Sequence, residues 1–270
     1  MPRTMLFRYP GGKYYAMGIL KPFFSIKHEE YREPFVGGGS VFFTKDEAES
    51  NWLNDLDREL MTCYKQFQNP VSRKRLIDRL CGETASPERW REVMDMEVKS
   101  DEDVAFKYYY LNRTSFSGKL AHASWGYRPK RSLPPERWHE RIGPCGNMLD
   151  SVKLTSIDFE EVIKAPSDKE VLMYVDPPYY APPMHKHYRF DMTTEEHSRL
   201  AEVLRHTKHK FFLTYDDCKE VRNLYDWAFV TEISFFYRVN DSTFSGNGRK
   251  MGFELVITNF DPKQVLSEEK

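Results

Sequence analysis

The apolar run Glu170-Val171-Leu172-Met173-Tyr174-Val175 is ended abruptly by Asp176-Pro177-Pro178-Tyr179. Such a run reads as a buried central strand, and two successive prolines cannot continue its hydrogen-bond ladder. The segments around it alternate between strand and helix character. That alternation predicts an α/β fold, a largely parallel sheet covered by helices.

Tyr14 to Phe24 has apolar residues at helical spacing and predicts a first helix. Glu33-Pro34-Phe35-Val36, the glycines Gly37-Gly38-Gly39, Ser40 and Val41-Phe42-Phe43 read as strand, glycine turn and helix. Asn51 to Asn54 is a short strand ending at Asp55, and Asp57 to Gln66 a helix. From about Thr62 to Asn147 the pattern changes. A polar helical stretch, Ser72 to Leu80, leads into a loop-rich segment with Gly118, Gly126, Pro129, Pro134 and Pro135. This region reads as a smaller, mostly helical domain, residues 62–147, inserted between 1–61 and 148–270. The alternation then resumes. Val152 to Thr155 is a strand before Asp158. Thr193 with Glu196 forms a capping-box signature for a helix to about Arg205. Lys210 to Tyr215 is a strand, and Phe229 to Tyr237 pairs with Phe253 to Thr258 around Ser245-Gly246-Asn247-Gly248.

The formal net charge is −1, so bulk charge does not advertise a nucleic-acid partner. Between Phe106 and Gly146, however, eight Lys/Arg face only Glu136 and Glu140, a local surplus of six positive charges. A local basic patch matters more for DNA than the whole-chain sum. The four cysteines are irregularly spaced without a CxxC pair, which disfavours zinc and a disulfide framework and fits a reducing cytoplasm. No apolar run has membrane-spanning length, and Met1 to Met5 does not read as a leader.

Three constellations carry chemistry. Phe35-x-Gly37-x-Gly39 after a strand lets the backbone approach a ligand at the crevice of a doubly wound sheet, although an ordinary tight turn has the same pattern. Asp55 lies 18 residues beyond Gly37 at the next strand end, where a carboxylate can hold ribose hydroxyls or merely cap the following helix. The dinucleotide fingerprint is absent, since Phe42 takes its last glycine position, and Gly12-Lys13-Tyr14 is not a phosphate loop. A ribose-bearing cofactor without pyrophosphate fits better. The third is Asp176-Pro177-Pro178-Tyr179. A carboxylate and the Pro177 carbonyl can accept both N–H bonds of an exocyclic amino group, and Tyr179 can stack on the ring that bears it.

On these residues the chain resembles the Dam-type, D12 class, DNA adenine-N6 methyltransferases. Phe7-Arg8-Tyr9-Pro10-Gly11-Gly12-Lys13, Glu33 to Phe42, Tyr110-Leu111-Asn112-Arg113 and Val175 to Tyr179 carry the likeness. The resemblance implies a Rossmann-like S-adenosylmethionine-dependent methyltransferase fold with an inserted, mostly helical target-recognition domain. It implies S-adenosylmethionine as methyl donor, S-adenosylhomocysteine as product and a flipped-out adenine in duplex DNA as substrate. Asp176, Pro177 and Tyr179 map to catalysis. Tyr9, Lys13, Phe35, Gly37, Gly39, Asp55, Asp158, Phe159 and Asp176 map to the cofactor. The basic segment maps to DNA through Asn112, Arg113, Lys119, Arg128, Lys130 and Arg131. No metal is expected. A cognate restriction endonuclease is a candidate partner, and a cytoplasmic monomer in a bacterial or phage-infected cell is expected.

The chain departs from the family pattern at Ser117, which precedes Gly118 where Asn-Gly is common, and at Tyr9, where some members have Trp. His185 and His187 lie in a distinctive segment expected to loop over the target base, and Ser245 to Lys250 is a second candidate contact loop. Three other readings stand beside the main one: an amino-methylating enzyme for cytosine, an RNA methyltransferase, and a DNA-binding relative that has lost activity.

Overall fold

The computed structural model describes residues 5–9, 12–13, 16–180, 191–237 and 250–266, with 235–237 and 250–251 by backbone alone. Seven strands form one sheet: β1 Glu30–Glu33, β2 Ser50–Asn54, β3 Lys153–Thr155, β4 Val171–Val175, β5 Lys210–Asp216, β6 Phe229–Tyr237 and β7 Lys250–Thr258. Their order is β3-β2-β1-β4-β5-β7-β6. The first five are mutually parallel, whereas β7 runs antiparallel to both β5 and β6. This is the Rossmann-like methyltransferase architecture, with one reversed strand, β7, set between β5 and the edge strand β6.

β4 shows why the sheet is covered on both faces. All five of its residues are buried. Leu172 and Tyr174 belong to one hydrophobic cluster and Val171, Met173 and Val175 to the other, as the two-residue period of a strand requires. The helices are α1 Met17–Leu20, α2 Arg58–Gln68, α3 Pro70–Cys81, α4 Pro87–Asp95, α5 Asp101–Thr114, α6 His139–Met148, α7 Phe159–Lys164, α8 Thr194–His206, α9 Lys219–Leu224 and α10 Lys263–Leu266. α8 buries Leu200 and Leu204, four residues apart, against β4 and β5 neighbours. Each such leucine contributes about 2 kcal/mol by leaving water. Its capping box is complete: Thr193 Oγ1 accepts from Glu196 N, and the Glu196 side chain accepts from Thr193 N.

Helices α2 to α6 lie between β2 and β3. α2 carries the chain out of the sheet, and Phe67, Tyr109 and Trp138 join it to α5 and α6 by edge-on aromatic contacts. The same hydrophobic cluster continues to Phe7, Tyr64 and the sheet face at Tyr174 and Phe212.

Two expected helices depart from the pattern: one is shorter and the other does not form as a regular helix. Tyr14 and Tyr15 lie outside the described residues, and from Met17 the chain makes one α-turn followed by a 3₁₀ stretch, Lys21–Ser25. Pro22 removes a backbone donor and its ring crowds the preceding turn, so the α-helix stops there. After Gly39 the chain forms successive turns without a regular helix. Val41, Phe42 and Phe43 are all buried, and three consecutive apolar side chains cannot share one face of a helix.

Candidate active site

The carboxyl ends of β1, β2, β3 and β4 converge on one cleft of about 970 Å³, open to solvent. The chain leaves β1 for β2 on one side while β4 lies on the other, so the cleft sits where the strand order reverses. Asn54 stitches its wall. The buried Asn54 amide donates to Pro34 O and Ile157 O at 3.0 Å each, and its Oδ1 accepts from Ile157 N and Thr155 Oγ1. The loops after β1, β2 and β3 are thereby fixed to one another. On the far side of β1, the buried Arg32 guanidinium donates to Val162 O and Ala165 O at the end of α7. A cation there suits the helix C-terminus and points the opposite end, Asp158-Phe159, at the cleft.

Gly37 has φ +47, and a Cβ there would lie 2.9 Å from the Tyr9 ring, so only glycine suits the turn. Its amide donates to Asp55 Oδ2 at 2.9 Å, while Asp55 Oδ1 accepts from Asp57 N. Burial pushes the Asp55 carboxyl up to about 6, with the two backbone donors opposing it. The Phe35 and Phe159 rings pack directly on each other, centroids 5.4 Å apart, and together form one aromatic wall of the cleft. Asp158 caps α7, and both its oxygens also bond Arg199 at 2.8 Å. Those hydrogen bonds hold its carboxyl below the usual value.

The second half of the site lies at the end of β4. Asp176 Oδ1 accepts from Lys13 Nζ at 2.8 Å and from Thr214 Oγ1 at 2.8 Å. The Asp176 side chain is 21 % exposed, while Lys13 is 2 % exposed. Lys13 Nζ lies 3.8 Å from Glu254 Oε2 and 4.9 Å from the centre of the Tyr179 ring. The Tyr179 hydroxyl donates to Glu254 Oε1. Tyr180 N donates to Asp216 Oδ1 at 3.1 Å. Pro177 is buried and holds the turn.

Of the residues expected at the cofactor, Tyr9, Phe35, Gly37, Asp55, Asp158, Phe159 and Asp176 line the cleft. Lys13 and Gly39 do not. The Lys13 ammonium is directed at the Asp176 carboxylate, and Gly39, at φ +66, serves the turn beneath Tyr64 and Phe43. Asn54, Thr214 and Glu254 were missed by the sequence reading. Only Asn54, adjoining Asp55 at a strand end, had a local signal.

The segment expected at DNA follows α5. Asn112 departs from the expectation of a DNA contact: it is 1 % exposed, and its amide donates to Arg8 O at 2.7 Å and Gly118 O at 3.0 Å. With Arg8 N donating to its Oδ1, it pins the N-terminal segment to the turn at Gly118. An amide so occupied is a fixture of the loop. Arg113 and Lys119 are half-buried; Arg128, Lys130 and Arg131 are exposed. Phe116 is a large apolar side chain left 42 % exposed in the same loop. His185, His187 and residues 245–249 lie outside the described residues. Among the described residues no helix is long and apolar enough to cross a membrane, and no group of three or more His, Cys, Asp or Glu is arranged for a metal ion.

Comparison with known proteins bears on this geometry. A family model described as D12 class N6 adenine-specific DNA methyltransferase matches residues 9–237. The chain is 24% identical over 257 residues to the type II methyltransferase M.CviBI of Paramecium bursaria Chlorella virus NC1A, covering 93% of this chain and 96% of that protein. It is 28% identical over 254 residues to the DNA N-6-adenine-methyltransferase of Escherichia phage P1, covering 86% of this chain and 32% of that protein. It is 28% identical over 207 residues to the type II methyltransferase M.MjaIII of Methanocaldococcus jannaschii, covering 66% of this chain and 69% of that protein.

Proposed function

The chain belongs to the D12 class N6 adenine-specific DNA methyltransferases, and from that premise we propose that the β1–β4 cleft takes S-adenosylmethionine and the end of β4 takes the target adenine. Bound S-adenosylmethionine supplies an electrophilic methyl group. The cleft fits such a cofactor on three counts. Its glycine turn leaves no room for a Cβ beside Tyr9. Asp55 offers a carboxylate to ribose hydroxyls. Phe35 and Phe159, packed on each other, give an aromatic wall against which a flat ring can lie.

An adenine must leave the duplex to reach the end of β4. Its amino nitrogen is a poor nucleophile because the lone pair is shared with the ring. Asp176 Oδ2 and the Pro177 carbonyl accept its two N–H bonds, which localises the lone pair on nitrogen. The gain comes from positioning and electrostatics. The nitrogen acquires one methyl group and gives up one proton, and the partly exposed Asp176 carboxylate is the route by which that proton reaches solvent. Tyr179 stacks on the base and adds about 1–3 kcal/mol. Residues 62–147 serve recognition. Lys119, Arg128, Lys130 and Arg131 neutralise phosphates, Arg113 serves base readout, and the exposed Phe116 ring takes the gap in the stack.

The observation that carries this reading is the Asp176 carboxylate, fixed through Oδ1 by Lys13 and Thr214 at the rim of a nucleoside-sized cleft. It is tested by methylation-sensitive sequencing of DNA from cells expressing the chain, with Asp176→Ala as control. Methyl-adenine in one short motif, absent in the control, is the expected result. Methyl-adenine at wild-type level in the Asp176→Ala cells overturns it. Cytosine or RNA methylation would move the substrate assignment instead.

A further inference from the structure

Two acidic residues face each other across β5 and β7: Asp216 and Glu254 are register partners. Each holds one of the two tyrosines that follow Pro178. Asp216 accepts from the backbone of Tyr180, and Glu254 accepts from the hydroxyl of Tyr179. Glu254 is 2 % exposed. A carboxylate is buried to that degree only when partners compensate for lost water. Its partners here are the Tyr179 hydroxyl and, at 3.8 Å, the Lys13 ammonium.

Stacking on a base uses the face of a tyrosine ring and makes no demand on its hydroxyl; phenylalanine would stack as well. The hydroxyl of Tyr179 therefore has a use elsewhere, and Glu254 is where it goes. We propose that Glu254 is a positioning residue for the target base: by holding the Tyr179 hydroxyl it fixes the plane against which the adenine stacks, and so the approach of the amino group to Asp176. The inference rests on the assignment of the β4 end to adenine. A side chain anchored only at its backbone end swings about two torsions, and small misplacements at a reacting atom cost large factors in rate. Tyr179 is anchored at both ends. Glu254 lies 78 residues beyond Asp176 on a strand antiparallel to β5, so nothing in the local motif announces it.

The test is a double-mutant cycle on the full chain, with Glu254→Leu, Tyr179→Phe and the pair combined. Three quantities are read: the single-turnover rate of methyl transfer to a duplex carrying the enzyme's own site, the dissociation constant for S-adenosylmethionine, and the fluorescence of 2-aminopurine in place of the target adenine. Each single variant is expected to lose roughly tenfold in transfer rate, the effect of one hydrogen bond to a charged group. Cofactor affinity should stay within about twofold of wild type. The double variant should be no more than about twofold slower than the slower single, because both remove the same bond. The quenching of 2-aminopurine by the ring should fall in both singles. Glu254→Gln keeps an acceptor oxygen and should recover most of the loss. It also serves if Glu254→Leu does not fold: in the Tyr179→Phe background it should then cost nothing further. Losses that multiply in the double variant, or a cofactor affinity that falls in step with rate, overturn the proposal. A wild-type enzyme that binds cofactor yet leaves adenine unmodified would overturn the substrate assignment itself, which separates the two failures.

Discussion

The Lys13 ammonium lies 2.8 Å from Oδ1 of Asp176 although 163 residues separate them in the chain. Thr214 donates to the same oxygen. Both hydrogen-bond donors that Asp176 has among the described residues thus converge on Oδ1, leaving Oδ2 for a substrate N–H. The cation also lies 3.8 Å from a second buried acid, Glu254. The N-terminal segment thus reaches the end of β4, while Gly37 and Gly38 line the cleft.

Replacing Lys13 with methionine tests that arrangement. It removes a cation that is 2 % exposed and lies 2.8 Å from the Asp176 carboxylate and 3.8 Å from that of Glu254. Breaking a buried ion pair from one side costs about 3–5 kcal/mol. Lys13→Met is therefore expected to melt well below wild type and to transfer no methyl groups, whereas Lys13→Met with Asp176→Asn should recover much of the stability and none of the activity. Calorimetry on the two variants reads the difference. A Lys13→Met protein as stable as wild type would show that the pairing carries no weight.

Much of this was legible in the sequence. The strand at Val171–Val175, the capping box at Thr193 and Glu196, and the order of the acidic strand ends all follow from local pattern. In the middle region only the helix around Ser72 to Leu80 was legible individually; α4 and α5, which start at Ser86 and Ser100 caps, were covered by the mostly helical reading alone. What was not legible depends on distance. Glu254 reads as one acid among many until β7 sets it beside Tyr179. Asn112 reads as a DNA-contacting amide until the fold brings Arg8 and Gly118 to it. Thr214 reads as an interior strand residue, and only pairing of β4 with β5 carries its hydroxyl to Asp176. Val41-Phe42-Phe43 failed as a helix for a related reason, because burial on several sides outweighed local preference.

Cofactor affinity should depend on pH through Asp55. Burial raises its carboxyl to about 6, and ribose hydroxyls donate to the ionised form. Below that value the ionised fraction falls about tenfold per pH unit, and affinity should fall with it. Affinity should therefore rise from pH 5 to 7 and level off above. The sign for stability is opposite. A folded value raised above the unfolded one means the native state binds more protons, so this contribution is present below the unfolded value and lost as pH rises through about 6. Asp55→Asn should flatten both profiles. Titration calorimetry with S-adenosylmethionine checks the first, and an affinity independent of pH between 5 and 7 would remove Asp55 from the ribose.

Ser117 stores strain. Its φ of +56 lies in the left-handed region, where a non-glycine residue costs about 1–2 kcal/mol. Glycine and asparagine tolerate that conformation better than serine does. Ser117→Asn and Ser117→Gly are each expected to raise the melting temperature by about 2–4 °C. Gly118→Ala should do the reverse, since its Cβ would lie 2.3 Å from Arg8 O at φ +75. Equal melting temperatures for Ser117→Gly and wild type would mean the turn relaxes without cost.

Arg128, Lys130 and Arg131 sit exposed on one loop, without an acidic partner among the described residues. Their charge is therefore available to phosphates. Each phosphate contact removed should lower the slope of log affinity against log salt by about 0.9. Single alanine variants should weaken binding to target and non-target duplexes by similar factors and leave the methylated motif unchanged. Arg113→Ala should behave differently. Arg113 is half-buried, with its Nε buried and without a hydrogen-bond partner among the described residues, and its loss should relax the motif at one base while barely altering the salt slope. Binding isotherms at several salt concentrations, read together with motif sequencing, separate the two classes. A uniform loss for Arg113→Ala across sequences, with a reduced slope, would return it to the phosphate contacts.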